Sequence, residues 1–160
     1  MTSVEYSVEV DAPPEEVWAV TSDPRGLPAW ERLIESVAAP VGGLGPGVRF
    51  TVTMSFAGVR ATVPCVVREW EPPWRSVVGL DGLLVATVTT SVASLPFDRS
   101  VLRHEVRYVF KGPLGSFAAA SLRAIGGAEY ALRRGTDAQL REIAANRRPA
   151  KAPKRRTAKD

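Results

Sequence analysis

Apolar and polar residues alternate with a period of two through most of the first 111 positions, then recur at helical spacing. Ser3–Val10 alternates as a strand, and Leu33–Ala39 reads as a second. From Val48 to Ala57, Phe50, Val52, Met54 and Phe56 share one face, and Arg49, Thr51, Thr53 and Ser55 share the other. After a turn at Gly58, an apolar face continues through Val59, Ala61, Val63, Cys65 and Val67, opposite Arg60, Thr62 and Arg68. Pro64 has no ladder donor, so a bulge or a sheet edge is expected there. Arg75–Leu80 is a short strand, and Asp81-Gly82 is a hairpin signal. Leu83–Ser94 and Ser100–Lys111 form the last pair. In that final strand Val101, Arg103, Glu105, Arg107 and Val109 lie on the wet face. Leu102, His104, Val106, Tyr108 and Phe110 lie on the other, so the single histidine is predicted to point inward.

Two stretches break this alternation with a helical period. Asp11 is placed to cap a short first helix, with Pro13 or Pro14 and the acidic pair Glu15 and Glu16 in its opening turn. Val17, Trp18 and Val20 are its buried candidates; Asp23-Pro24 stops it, and Leu27–Trp30 makes a second short turn. From Pro113 to Asn146, Leu114, Phe117, Ala118, Leu122, Ile125, Leu132, Leu140 and Ile143 form an apolar stripe, with Arg133, Arg134 and Arg141 on the solvent side. A continuous helix of about thirty residues is ~45 Å long. Gly126-Gly127 and Gly135 weaken it by ~1 kcal/mol each relative to alanine, as close-packing positions or as a bend. The pattern predicts an α+β domain in which a curved antiparallel sheet wraps one long C-terminal helix. One helix cannot fill such a concave face, so a cavity is expected between the two.

The net charge of +4 divides unevenly. Residues 147–160 hold seven basic residues against one acidic, a net +6, so residues 1–146 carry −2. The body therefore lacks the basic groove expected of a nucleic-acid reader. The proline-containing tail has no apolar stripe and is predicted to be disordered. It reads as a solvated end, or as a nonspecific anchor to nucleic acid or to an anionic membrane. At 160 residues the chain is read as one ligand-binding domain over 1–146 followed by that tail. No apolar run reaches the ~20 residues of a membrane span, and the first residues do not resemble a signal peptide. The lone Cys65 permits no internal disulfide, and no Cys/His cluster suits a metal. A cytoplasmic domain without metal or cofactor is expected.

The order of strand, two short helices, further antiparallel strands and a long last helix is that of the helix-grip fold. Ala12-Pro13-Pro14-Glu15-Glu16-Val17-Trp18, then Asp23 and Trp30, resembles the opening of the START-like (SRPBCC) superfamily, in its polyketide cyclase/dehydrase and lipid-transport branch. Gly45-Pro46-Gly47-Val48-Arg49-Phe50, Trp70-Glu71-Pro72-Pro73-Trp74 and Lys111-Gly112-Pro113-Leu114-Gly115 are similar to that branch as well. The resemblance spans residues 3–146 and implies a deep cavity for a lipid, sterol or polyketide.

The inward positions define the candidate ligand-binding set. Phe50, Val52, Met54, Phe56, Val63, Cys65, Leu102, His104, Val106 and Tyr108 would line the sheet side. Leu122, Ile125, Ala118 and Glu129 would line the helix side, with Trp30 at the entrance. Trp18 is a core candidate, and Trp70 and Trp74 flank the open end. His104 has three readings: a general acid or base, a ligand anchor, or a side chain satisfied by its neighbours. Cys65 reads as a small hydrophobe rather than a nucleophile. The Gly42–Gly47 loop reads as a hairpin connection or a pocket lid, because no phosphate-binding Lys-Ser or Lys-Thr follows it. Three function classes follow. The first is a carrier or sequestering protein for a hydrophobic small molecule. The second is a cyclase or dehydratase using His104 and Tyr108, and the third an interaction domain docking through Leu83-Leu84 or another exposed sheet edge. One histidine and one tyrosine, with no confident inward carboxylate, favour binding.

Overall fold

The structure, a computed structural model, describes residues 1–148. Seven strands form one antiparallel sheet: β1 (Thr2–Val10), β2 (Ile34–Ala38), β3 (Arg49–Phe56), β4 (Val59–Glu71), β5 (Arg75–Leu80), β6 (Leu84–Leu95) and β7 (Arg99–Phe110). Their spatial order is β1-β7-β6-β5-β4-β3-β2, so consecutive strands pair except where β1 closes on β7. The edges are thus β1 and β2. Leu83-Leu84 offers no edge: Leu84 pairs with Phe110 inside the sheet, and the Leu83 carbonyl accepts from Lys111 N–H at 2.8 Å. The alternating pattern works as the sequence predicts, with Phe50, Val52, Met54 and Phe56 all buried while the residues between them are only half so.

Pro64 sits in regular register opposite Thr51. Its carbonyl accepts from Asp81 N–H just beyond the end of β5, so the nitrogen without a hydrogen faces the side where that strand has ended. The bulge falls instead between Val67 and Glu69.

Between β1 and β2 lie α1 (Pro14–Thr21), a 3-10 turn (Pro24–Gly26) and α2 (Leu27–Trp30). Asp11 does not cap α1; the cap position is Pro13, and Asp11 is exposed beside Arg99. Asp23 does cap, accepting from the Arg25 N–H at 3.1 Å and so fixing the 3-10 turn.

The C-terminal helix is two helices, α3 (Gly112–Ala124) and α4 (Gly127–Arg147). Gly126 and Gly127 adopt φ +114° and +85°, in the left-handed region where a side chain is strained. A Cβ on Gly126 would also lie 2.6 Å from the Tyr130 ring. The glycine pair therefore breaks the rod rather than bending it. Among the described residues no helix is long and apolar enough to cross a membrane. Arg147 ends α4 and pairs with Glu16 at 3.3 Å; the tail expected to be disordered otherwise lies outside the described residues from 149 onward.

Two apolar clusters flank the concave face. One joins Val10, Val17, Trp18, Val20, Leu102 and Ile143, locking α1 to the end of α4. The other joins Phe50, Val52, Met54, Phe56, Val63 and Val67 to Ala118 of α3. Each fully buried side chain of this kind contributes about 1.5–3 kcal/mol.

Candidate functional site

A cavity of about 310 Å³ lies between the sheet and the helices. That is at the lower end of the ~300–1,000 Å³ typical of ligand pockets. Strand register decides what faces it. Directly paired residues share a face, so the sheet wall is built in rows running across the strands. Ser76, Thr90 and His104 form one row; Val78, Val88, Val106 and Val4 form the next; Leu80, Ala86 and Tyr108 form a third; Leu84 and Phe110 form the last. The wall is thus polar in one row and apolar in the rest, apart from the phenol of Tyr108.

Of the residues singled out from the sequence, Trp30, Phe50, Val52, Met54, Val63, Cys65, His104, Val106, Tyr108 and Leu122 border the cavity. Five others do not. Phe56 is buried against Phe117 of α3, ring centroids 5.7 Å apart. Leu102 is fully buried one row beyond His104, in the cluster under α1. Ile125 sits at the helix break and packs on the second cluster. Ala118 is buried behind the wall, and Glu129 is exposed on α4. Trp70 borders the cavity and packs edge-on against Trp18 at 5.1 Å, whereas Trp74 is exposed. From the glycine-rich loop only Leu44 reaches the lining.

His104 is held at both ring nitrogens. The Thr90 hydroxyl donates to Nδ1 at 2.9 Å, and Nε2–H donates to the Gln139 side-chain carbonyl at 2.8 Å. Burial lowers the imidazole's affinity for a proton, and the bond to Gln139 only partly offsets this. The ring is therefore neutral, with its tautomer fixed by the two partners. Cys65 is protonated as well: burial pushes its thiol up to about 12, out of reach of nucleophilic chemistry at neutral pH.

Sequence reading missed Thr90 and Gln139, yet a signal existed. Ala128, Ala131, Leu132, Gly135, Thr136 and Gln139 recur at spacings of three and four, and all border the cavity. Gln139 continues a stripe that a search for apolar residues alone cuts short. Gly135 is small because α4 crosses α2 there; a Cβ would meet the Trp30 carbonyl at 3.2 Å. Trp30 in turn donates its indole N–H to Glu142 of α4 at 2.9 Å.

Glu31 and Arg134 form the remaining polar feature. Glu31 borders the cavity, and burial raises its pKa against the opposing pull of the Leu33 N–H, Arg134 and Arg32. Arg134 is not solvent-facing as its position in the stripe suggested. Its terminal nitrogens are buried, 3.5 Å from Glu31 at the nearest, with Tyr130 under the guanidinium. Among the described residues no group of His, Cys, Asp or Glu could hold a metal ion.

Solved structures share this architecture. A protein of Thermus thermophilus superposes with a TM-score of 0.70 at 16% identity, covering 92% of this chain and 100% of that one. The Zhui aromatase/cyclase of Streptomyces sp. R1128 gives 0.68 at 21% identity, covering 95% and 99%. A START superfamily protein of Mycobacterium smegmatis gives 0.61 at 16%, covering 88% and 98%. At these identities the likeness is one of fold. A comparison with curated proteins finds no match. The sequence itself matches a family model, polyketide cyclase / dehydrase and lipid transport, over residues 1–146, and the chain belongs to that family.

Proposed function

We propose that this domain binds and carries a hydrophobic small molecule, lipid-like or polyketide-like, in the cavity between sheet and helices. The observation that carries this reading is the closed state of His104. A general base needs a free nitrogen within reach of the substrate proton. Here both nitrogens are engaged, by Thr90 and by Gln139. The thiol of Cys65 is protonated and supplies no alternative base, while the Glu31 carboxyl at the cavity border has Arg134 3.5 Å away. What remains is a mostly apolar hollow with a few oriented polar atoms, the usual composition of a binding pocket.

Native mass spectrometry of freshly purified protein tests the reading. A co-purified apolar compound at one per chain, displaced on denaturation, is the expected result. Empty protein that also fails to take up apolar probes by calorimetry would remove it.

A second reading, cyclase or dehydratase chemistry, draws on one feature. Tyr108, a phenol, borders the same cavity. The similarity of fold to an aromatase/cyclase keeps this chemistry in view. Turnover of a poly-β-ketone probe that disappears in Tyr108→Phe would favour it over carriage.

A further inference from the structure

The Thr90–His104–Gln139 relay has a direction. Thr90 donates to His104, and His104 donates to the Gln139 carbonyl, so the relay ends on the Gln139 side-chain NH2. Gln139 is only 6% exposed and borders the cavity. Its amide nitrogen donates to no acceptor among the described residues, and it is not one of the sealed, unpartnered nitrogens, which are both on Arg134. The amide nitrogen therefore keeps accessible surface on a side chain that borders the cavity. An acceptor placed against it gains a hydrogen bond worth about 0.5–1.5 kcal/mol net, so an acceptor in the cavity is favoured there. The hydroxyls of Thr21 and Thr136 do not compete, since they donate to the carbonyls of Val17 and Leu132, which leaves Ser22, Ser76 and Tyr108 as the other hydroxyl residues on the wall.

The charge of that acceptor is constrained too. Among the described residues no Lys or Arg borders the cavity, and the one carboxylate on its wall is Glu31. An anionic head would leave water for an apolar hollow with no free cation on its wall, which is strongly unfavourable. Size and shape come from the rows. Successive rows on one face are ~6.8 Å apart along a strand. Beyond the polar row lie the valine row and then the Tyr108 row. A dry cavity of ~150 Å³ accommodates one benzene ring. The volume here, about 310 Å³, thus suits about two fused rings or a branched body of equal size.

We infer that the ligand is an uncharged, carbonyl-bearing compound with a compact apolar body of about two rings, its carbonyl oxygen accepting from the Gln139 side-chain NH2 and its body lying along the valine row. This rests on the binding function proposed above and names the chemistry it selects. His104 is a positioning residue in this arrangement: it occupies the Gln139 carbonyl and so turns the amide nitrogen into the cavity.

Three probes of one carbon skeleton test it by calorimetry on the full chain: the fused-ring ketone tetralone, the hydrocarbon tetralin, and the tetralin carboxylate. The ketone is expected to bind about tenfold or more tightly than either of the others. Gln139→Met is expected to abolish the preference for the ketone, read as the ratio of ketone to tetralin affinity in the variant against the same ratio in the unaltered protein. Should that variant not fold, Gln139→Asn withdraws the amide by one methylene and is expected to act in the same direction. Equal affinity of ketone and hydrocarbon for the unaltered protein overturns the inference and leaves the apolar-cavity reading standing. Carboxylate binding as tight as ketone binding overturns the requirement for an uncharged head. A ketone preference that survives both substitutions overturns the assignment to Gln139. Failure of all three probes to bind folded protein overturns this inference, and the binding function falls with it only if the freshly purified protein also carries no apolar compound.

Discussion

The two ends of the cavity share one sheet but are finished by different helices. At one end α4 brings Thr136 and Gln139 over the row Ser76, Thr90 and His104. At the other, α3 brings Leu122 towards Leu84 and Phe110, and its Gly115 lies so close that a Cβ would meet the Leu83 carbonyl at 2.9 Å. The break at Gly126-Gly127 separates the two covers, and along α4 the lining passes from Ala128, Ala131 and Leu132 to the polar Thr136 and Gln139. A single continuous helix would tie the direction of both covers to one axis. Two helices allow each to be set against its own part of the sheet, and a guest is thereby given a head end and a body end.

Substitutions at the two ends should therefore separate stability from selectivity. The largest effect is expected from Leu102→Ala, since Leu102 is fully buried in the cluster beneath α1. It should destabilise by about 2–5 kcal/mol in denaturant unfolding. Because Leu102 does not border the cavity, the order of affinities among ligands should not change. A changed order would join the two regions that the structure keeps apart.

His104→Leu should follow, at about 1–3 kcal/mol, because it strands the Thr90 hydroxyl and the Gln139 carbonyl. It should also alter the pH profile. Burial holds the folded His104 below its ordinary value of 6.5. Between that lowered value and 6.5 the unfolded chain binds a proton that the folded chain does not. His104's contribution is then fully present above 6.5 and is lost as pH falls below it. Glu31 acts in the opposite sense: its raised value means that the folded chain takes up a proton first, so stability is gained as pH falls towards 4.5. The loss on going from about pH 7.5 to about pH 5.5 should therefore be greater in the unaltered protein than in His104→Leu. Equal losses would mean that His104 is not the buried neutral group.

Gly126→Ala tests the break itself. The left-handed backbone and the nearby Tyr130 ring should make it unfavourable by about 1–2 kcal/mol, measured by thermal or denaturant unfolding. A neutral or stabilising result would mean that one straight helix is accessible. The smallest effect should come from Glu142→Ala, which removes the acceptor of the Trp30 indole. About 1 kcal/mol or less is expected, with a change in tryptophan fluorescence as the specific readout.

Much of the sheet was legible because a strand's two faces alternate whatever its neighbours do. Phe50, Val52 and Met54 carry their destination in their spacing, and so does His104 between Leu102 and Val106. The site was less legible. Phe56 and Leu102 share a face with true cavity residues and are excluded only because other elements cover the two ends of the wall. Arg134 looks like a solvent-facing residue until Glu31, more than a hundred positions away, is packed beside it.

The sequence by itself determined the strands, their inward faces, the buried histidine and the family resemblance, because these depend on residues close together in the chain. It marked Gly126-Gly127 as weak without deciding between a bend and a break. Tertiary structure decided that the helix is divided, that Ser76, Thr90 and His104 lie side by side, and that Gln139 reaches them from above. Those facts depend on register and on the docking of α4. Both are set by the sum of many apolar contacts across the whole domain, and no local pattern records that sum.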